Sequence, residues 1–172
     1  MRHGTEDGPG PLLVDLHIAP GGHVAGQHVH AALAETFTVV SGTVGIVVDG
    51  VRREARPGDI TTVPPGTAHD WWNAGDDEAH VAVQVDGPAE AVQRFEDVIV
   101  LLFGLAHEGR VDAQGMPDPL QLAVAAVAYR DVIRFEKPPR AVQRFVLPPL
   151  AVLGRALGRR PSYPHHRALV VS

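Results

Sequence analysis

Residues Gly22–Gly42 read GHVAGQHVHAALAETFTVVSG. Besides His23, the stretch holds two closely spaced histidines, His28 and His30, and one glutamate, Glu35, side chains that a divalent metal accepts as ligands. In an extended strand residues i and i+2 face the same way, roughly 6.5–7 Å apart, so both imidazoles can lean toward one ion. Glu35 lies at an odd offset from His30 and would face the other way on a straight strand. A turn or bulge is therefore expected within Ala31–Ala34. An antiparallel strand from Glu35 to Val40 would then return the carboxylate to the histidines' side, as a hairpin carrying three ligands.

Working outward, the next Gly/Pro-rich turn and strand, GDITTVPPGTAHDWWN (Gly58–Asn73), supplies a fourth candidate, His69. It follows Pro64-Pro65-Gly66, a turn that can fix where the next strand starts and where its early side chains point. From Leu12 to Val85 short β-type runs alternate with turn signals: LLVDLHI, QHVHA, ETFTVVS, TVGIVV, VRREA, DITTV, AHDWW and HVAVQV. Such spacing predicts an all-β sandwich or barrel. Asp49-Gly50 between two valines is a two-residue hairpin signal, because both central positions of a type I′ turn need positive φ.

These residues also carry a resemblance. Gly22, His28, His30, Glu35 and Gly42 match G-x5-HxH-x4-E-x6-G, and Gly58, Pro64, Gly66, His69 and Asn73 match G-x5-PxG-x2-H-x3-N. Both are motifs of the cupin superfamily, which the chain resembles in full at each position. The short spacer, residues 43–57, is similar to that of compact microbial single-domain cupins of the quercetinase type. The resemblance implies a mainly β fold, a double-stranded β-helix or jelly-roll barrel, over residues 12–87. It also implies that His28, His30, Glu35 and His69 bind one divalent metal ion inside it.

Other residues near that site are assigned by parity. Trp71 shares the parity of His69 and is a candidate pocket wall, as is the polar Gln27; Trp72, Asp70 and Val29 are expected to face away. Asn73 reads as a hydrogen-bonding residue at a strand end, and the motif glycines and Pro64 as turn residues. His3, His17, His23, His80, His107 and the pair His165-His166 read as ordinary core or surface histidines.

Three neutral imidazoles and one carboxylate would leave a divalent ion with a net charge of about +1 and, if six-coordinate, two open positions. Such an ion can polarise the oxygens of an enol, catechol or hydroxyketone. With Fe, Ni, Mn or Cu the expectation is a dioxygenase acting on a small oxygenated organic molecule, and Glu35 is a possible base. With Zn the expectation is a redox-neutral isomerase or cyclase. A non-catalytic module that binds or senses a small molecule is the reading from another class; the balance leans toward an enzyme.

Composition bounds the rest. The 172-residue chain is 45% hydrophobic and contains no cysteine, so thiolate metal sites, disulfides and thiol nucleophiles are excluded. Residues 1–11 read as a polar lead without the apolar segment of a signal peptide, and a cytoplasmic location is expected. After Gly87-Pro88 the period changes: Val92, Phe95, Val98, Ile99, Leu102 and Phe103 recur at helical spacing. A helix is predicted over 88–107 and a second from Pro117 to Phe135, within a helical extension spanning 88–160 and followed by a tail, 161–172. Pro138-Pro139 and Pro148-Pro149 are expected to divide the remainder into short pieces.

Up to Tyr129 there are six basic and eighteen acidic side chains, and beyond it nine and two. The basic end is expected to meet the acidic face of its own barrel or of a second copy, in a homodimer. An anionic membrane surface is the less favoured partner, for which the apolar piece Phe145–Leu157 is too short to span but suited to the interface. The arginines are scattered among prolines and apolar residues, so no nucleic-acid partner is expected.

Overall fold

The computed structural model describes residues 2–3, 10–23, 26–112 and 115–170; most of the polar lead and the last two residues of the tail lie outside this set. The chain divides into two compact units, Met1–Val92 and Gln93–Ser172.

The described residues of the first unit form nine strands: β1 (Arg2–His3), β2 (Leu12–Ile18), β3 (His28–Val29), β4 (Ala34–Ser41), β5 (Val44–Val48), β6 (Val51–Ala55), β7 (Ile60–Val63), β8 (His69–Asn73) and β9 (Ala79–Asp86). One sheet runs β1-β2-β9-β4-β7; in the other, β3, β8, β5 and β6 follow in that order. Every pairing within this unit is antiparallel. This is the expected double-stranded β-helix, with helices C-terminal to it.

Alternation fixes the inner faces. In β2, Leu12, Val14, Leu16 and Ile18 are buried and the residues between them exposed, and β9 pairs alongside with Val81, Val83 and Val85 buried. Each such side chain contributes about 1.5–3 kcal/mol by leaving water. A slip of one residue would turn the whole apolar set outward, so the register is strongly specified. The turn Asp49-Gly50 joins β5 to β6 with Val48 opposite Val51, and both turn residues have positive φ, +49° and +75°. The type I′ expectation holds.

The expected hairpin across Ala31–Ala34 does not form. Strand β3 pairs with β8, whereas β4 pairs with β7 and β9, so the two halves of the first motif lie in different sheets. The chain crosses between sheets after His30. Glu35 therefore faces the histidines across the barrel interior rather than beside them on one ribbon.

On the outward side of the second sheet, Trp72 lies over Gly45, its cross-strand partner, and the Arg52 guanidinium caps the same ring at 4.6 Å. A Cβ at position 45 would overlap the indole. Gly45→Val is expected to destabilise by about 1–3 kcal/mol, the range for overpacking. The penalty should largely vanish in a Trp72→Ala background. Urea midpoints of the two single variants and the double would show it, and equal penalties in both backgrounds would refute the contact.

The second unit takes in most of α1 (Ala89–His107), then α2 (Pro119–Ala128), β10 (Arg134–Phe135), α3 (Arg140–Phe145), α4 (Leu147–Ala156) and α5 (His166–Val170). The Asp118 side chain caps α2, accepting from the Leu120 and Gln121 N–H groups, with Pro119 in the first turn. The helix predicted to reach Phe135 stops at Ala128. Tyr129, Val132 and Ile133 are buried all the same, within a turn in which the Val132 and Ile133 N–H groups donate to the Tyr129 carbonyl. Pro148-Pro149 does not break the next piece but occupies the first turn of α4, where a missing N–H costs nothing. Ala123 and Val124 of α2 pack on Ala151 of α4.

Of the basic residues beyond Tyr129, Arg159 pairs with Asp118, and Arg167 with Glu96 and Asp97, all within this second unit. Among the described residues no helix is long and apolar enough to cross a membrane.

Candidate metal centre

Four polar side chains sit where the barrel's alternation calls for apolar ones. His28, His30, Glu35 and His69 are all at most 5% exposed. His28 and His69 are cross-strand neighbours on β3 and β8, with ring centroids 4.2 Å apart. Glu35 comes from the opposite sheet, on the inward face of β4 that it shares with Phe37 and Val39. His30 follows β3 at the crossing between sheets, and its carbonyl accepts the Gly66 N–H at 2.7 Å. That bond ties the Pro64-Pro65-Gly66 turn of the second motif to the first.

One ligand atom from each of the four lies within 4.8 Å of the others, so the cluster is able to hold a metal ion. The hydrogen bonds around it orient the donors. A carbonyl can only accept, so His28 donates from Nδ1 to the Gly26 carbonyl at 2.7 Å, and His69 from Nδ1 to the Thr67 carbonyl at 3.0 Å. Each Nε2 is thereby the nitrogen left to face the interior. Backbone carbonyls holding the remote N–H of imidazoles are the arrangement that fixes tautomer and ring angle in metal sites.

Glu35 Oε2 lies 2.7 Å from His69 Nε2 and 3.4 Å from His30 Nε2. Burial alone would raise the Glu35 carboxyl pKa, but hydrogen bonds from His30 and His69, with their charges, outweigh it and hold the group below the usual carboxylate range. Burial works to lower the His69 pKa, yet its bond to Glu35 and that residue's charge prevail and raise it. At His28 the balance goes the other way: burial, then the charges of His69 and His30, outweigh the Glu35 charge and the bond to the Gly26 carbonyl and lower it to about 4. Without a metal the centre thus holds an imidazolium–carboxylate pair beside a neutral imidazole. A divalent ion would take the place of the shared proton, because ligands bind metal in their deprotonated forms.

Trp71, 4% exposed, faces inward as its parity predicts and packs on Phe37 at 5.2 Å between ring centroids. Phe37 in turn lies 6.2 Å from the His69 ring, so the two aromatics form an apolar wall beside the donors. Phe37 was not among the residues singled out from the sequence, although its offset of two from Glu35 places it on the same face. Gln27 is not brought into the buried cluster: its side chain is exposed. Val29, expected to face away from the site, is itself buried, and Trp72 stacks outside on His23. Asn73 is structural, donating from Nδ2 to the Ile18 and Asp77 carbonyls and accepting the Gly75 N–H.

Residues 14–86 match the family model of the cupin domain. Among solved structures, the chain is similar to a conserved protein with a double-stranded β-helix domain from Klebsiella pneumoniae, at 28% identity and a TM-score of 0.42, covering 45% of this chain and 67% of that one. It is similar to a Cupin 2 conserved barrel domain protein from Salinispora arenicola, at 28% identity and a TM-score of 0.40, covering 49% and 68%. A third is a sugar phosphate isomerase from a cupin superfamily, from Silicibacter pomeroyi, at 24% identity and a TM-score of 0.42, covering 44% and 50%. The chain thus spans about two thirds of the first two and half of the third. No curated protein matches it.

Proposed function

We propose that this chain, whose residues 14–86 match the cupin-domain model, is a mononuclear metal-dependent enzyme acting on a small oxygenated organic substrate, a dioxygenase by preference. The observation that carries this reading is the convergence of three imidazoles and one carboxylate from two sheets, with the Nδ1–H groups of His28 and His69 pinned to backbone carbonyls. When bound, a divalent Fe, Ni, Mn or Cu ion would supply Lewis acidity and an open coordination position for oxygen. His28, His30 and His69 offer neutral donors and Glu35 one negative charge, which keeps the site net cationic toward an enolate or catecholate. Phe37 and Trp71 pack beside the His69 ring and make one side of the centre apolar.

Untagged protein purified without chelator is expected to carry about one such ion per chain at this centre. His28→Ala and Glu35→Gln should each lower turnover by at least ~100-fold, since even outlying partners of metal ligands cost 10–100-fold. Oxygen uptake with a panel of phenols and hydroxyketones is the measurement that checks it. Turnover of the same compounds without oxygen uptake, in zinc-loaded protein, would move the assignment to a redox-neutral isomerase or cyclase. Tight binding with no turnover would move it to a small-molecule binding module. A homodimer and a cytoplasmic location accompany the proposal.

A further inference from the structure

A second group of metal-type side chains lies in the other unit, outside the barrel. Just past the end of α1, Glu108 meets the segment that leads into α5. Its Oε1 lies 2.6 Å from His165 Nε2 and 3.2 Å from His166 Nε2, and one ligand atom from each of the three falls within 4.8 Å of the others. We propose that Glu108, His165 and His166 bind a divalent transition-metal ion of the zinc type, which clamps the C-terminal segment to the end of α1.

Three observations support it. First, His166 is fully buried, yet neither ring nitrogen has a hydrogen-bond partner among the described residues. Its Nε2 is within reach of Glu108 Oε1 but not aligned with it as a hydrogen bond. A buried polar group left this way costs about 1–3 kcal/mol, and a metal ion at Nε2 removes that cost. Packing holds the ring in place: it lies against Gly104, where a Cβ would overlap it, and against Tyr163, at 4.8 Å between centroids.

Second, the carboxylate is presented by one oxygen only. Glu108 Oε2 accepts from Arg110 Nη1 at 3.0 Å, and Arg110 Nη2 donates to the Tyr163 hydroxyl, which donates to Gln121 Oε1. This chain fixes the carboxylate so that Oε1 stays with the two imidazoles. The guanidinium's charge opposes a cation, but it sits on the far oxygen.

Third, the arrangement repeats the barrel centre, where Glu35 Oε2 is likewise approached by two Nε2 atoms, at 2.7 and 3.4 Å. Two imidazoles and one carboxylate favour Zn²⁺ over Mg²⁺ or Ca²⁺, with water completing the coordination.

The test is a zinc count. Wild-type protein, His165→Ala and Glu108→Gln are stripped with chelator, loaded with Zn²⁺, desalted and analysed for metal. His165 is 59% exposed, so its truncation removes little packing, and circular dichroism of each variant verifies the fold. Wild type is expected to carry one more zinc per chain than either variant. The difference is independent of the barrel, because the variants leave that centre intact whether or not it binds zinc. Equal zinc in all three proteins would overturn the proposal and leave an ordinary ion pair at Glu108.

Discussion

Replacing His69 by alanine is expected to destabilise the metal-free protein by about 3–5 kcal/mol, the cost of leaving one member of a buried pair uncompensated. Glu35 is 5% exposed and its nearest partner is His69, at 2.7 Å. With His69 gone, the nearest remaining donor among the described residues is His30, at 3.4 Å. Glu35→Gln should cost less. The amide needs no counter-charge, and its NH2 can donate to Nε2 of His69, which then reverts to a neutral ring with its Nδ1–H still on the Thr67 carbonyl. The two effects are coupled, so His69→Ala in the Glu35→Gln background should cost well under half of what it costs in wild type. Urea unfolding in chelator, read as a double-mutant cycle, measures this. A His69→Ala midpoint equal to wild type would mean that the pair is not formed. With metal present, the same substitution removes one of four donors and should weaken binding by at least ~100-fold, since even residues that only support ligands cost 10–100-fold.

LLVDLHI becomes β2 residue for residue, because its period-2 burial leaves little freedom in register. VRREA becomes β6 without such alternation, its start set instead by the Asp49-Gly50 turn that pairs Val51 with Val48. The four metal-type residues could be read from their spacing. How they meet could not: parity tells which face of a strand a side chain occupies, not which sheet the strand joins. A link as short as Ala31–Leu33 serves a hairpin and a sheet crossing equally well. The overlong second helix has a similar cause. Tyr129, Val132 and Ile133 continue an apolar period while folding as a turn, since burial selects apolar residues whatever the backbone does. His166 illustrates the limit most directly. Nothing local marks it out, and its burial depends on Gly104 and Glu108, some sixty residues away in the chain.

Acid should destabilise the metal-free protein well before its carboxylates titrate. Burial and the neighbouring imidazoles hold His28 at about 4, against 6.5 for an unperturbed histidine. The folded state therefore prefers the neutral ring, and between these two values the unfolded chain binds more protons. A depressed folded pKa gives stability that is present above the unfolded value and lost as pH falls toward the folded one. The loss from this one residue is on the order of 3 kcal/mol between pH 6.5 and 4. His69 acts in the opposite sense: its pKa is raised, so its contribution is complete below pH 6.5 and declines as pH rises through the folded value. It cannot offset the His28 loss on the acid side, because its own contribution no longer changes there. Glu35, held below the carboxylate range, contributes above about pH 4.5 and begins to lose its contribution only as pH falls below that. Midpoints of urea unfolding at pH 7, 6, 5 and 4 in chelator should decline steadily for wild type, and a His28→Gln variant should lack most of that decline above pH 4.5. Parallel wild-type and variant profiles would show that His28 is not the group that titrates. A bound divalent ion should raise the wild-type midpoints and steepen their decline toward acid, because it expels protons from the folded centre while the unfolded chain still takes them up.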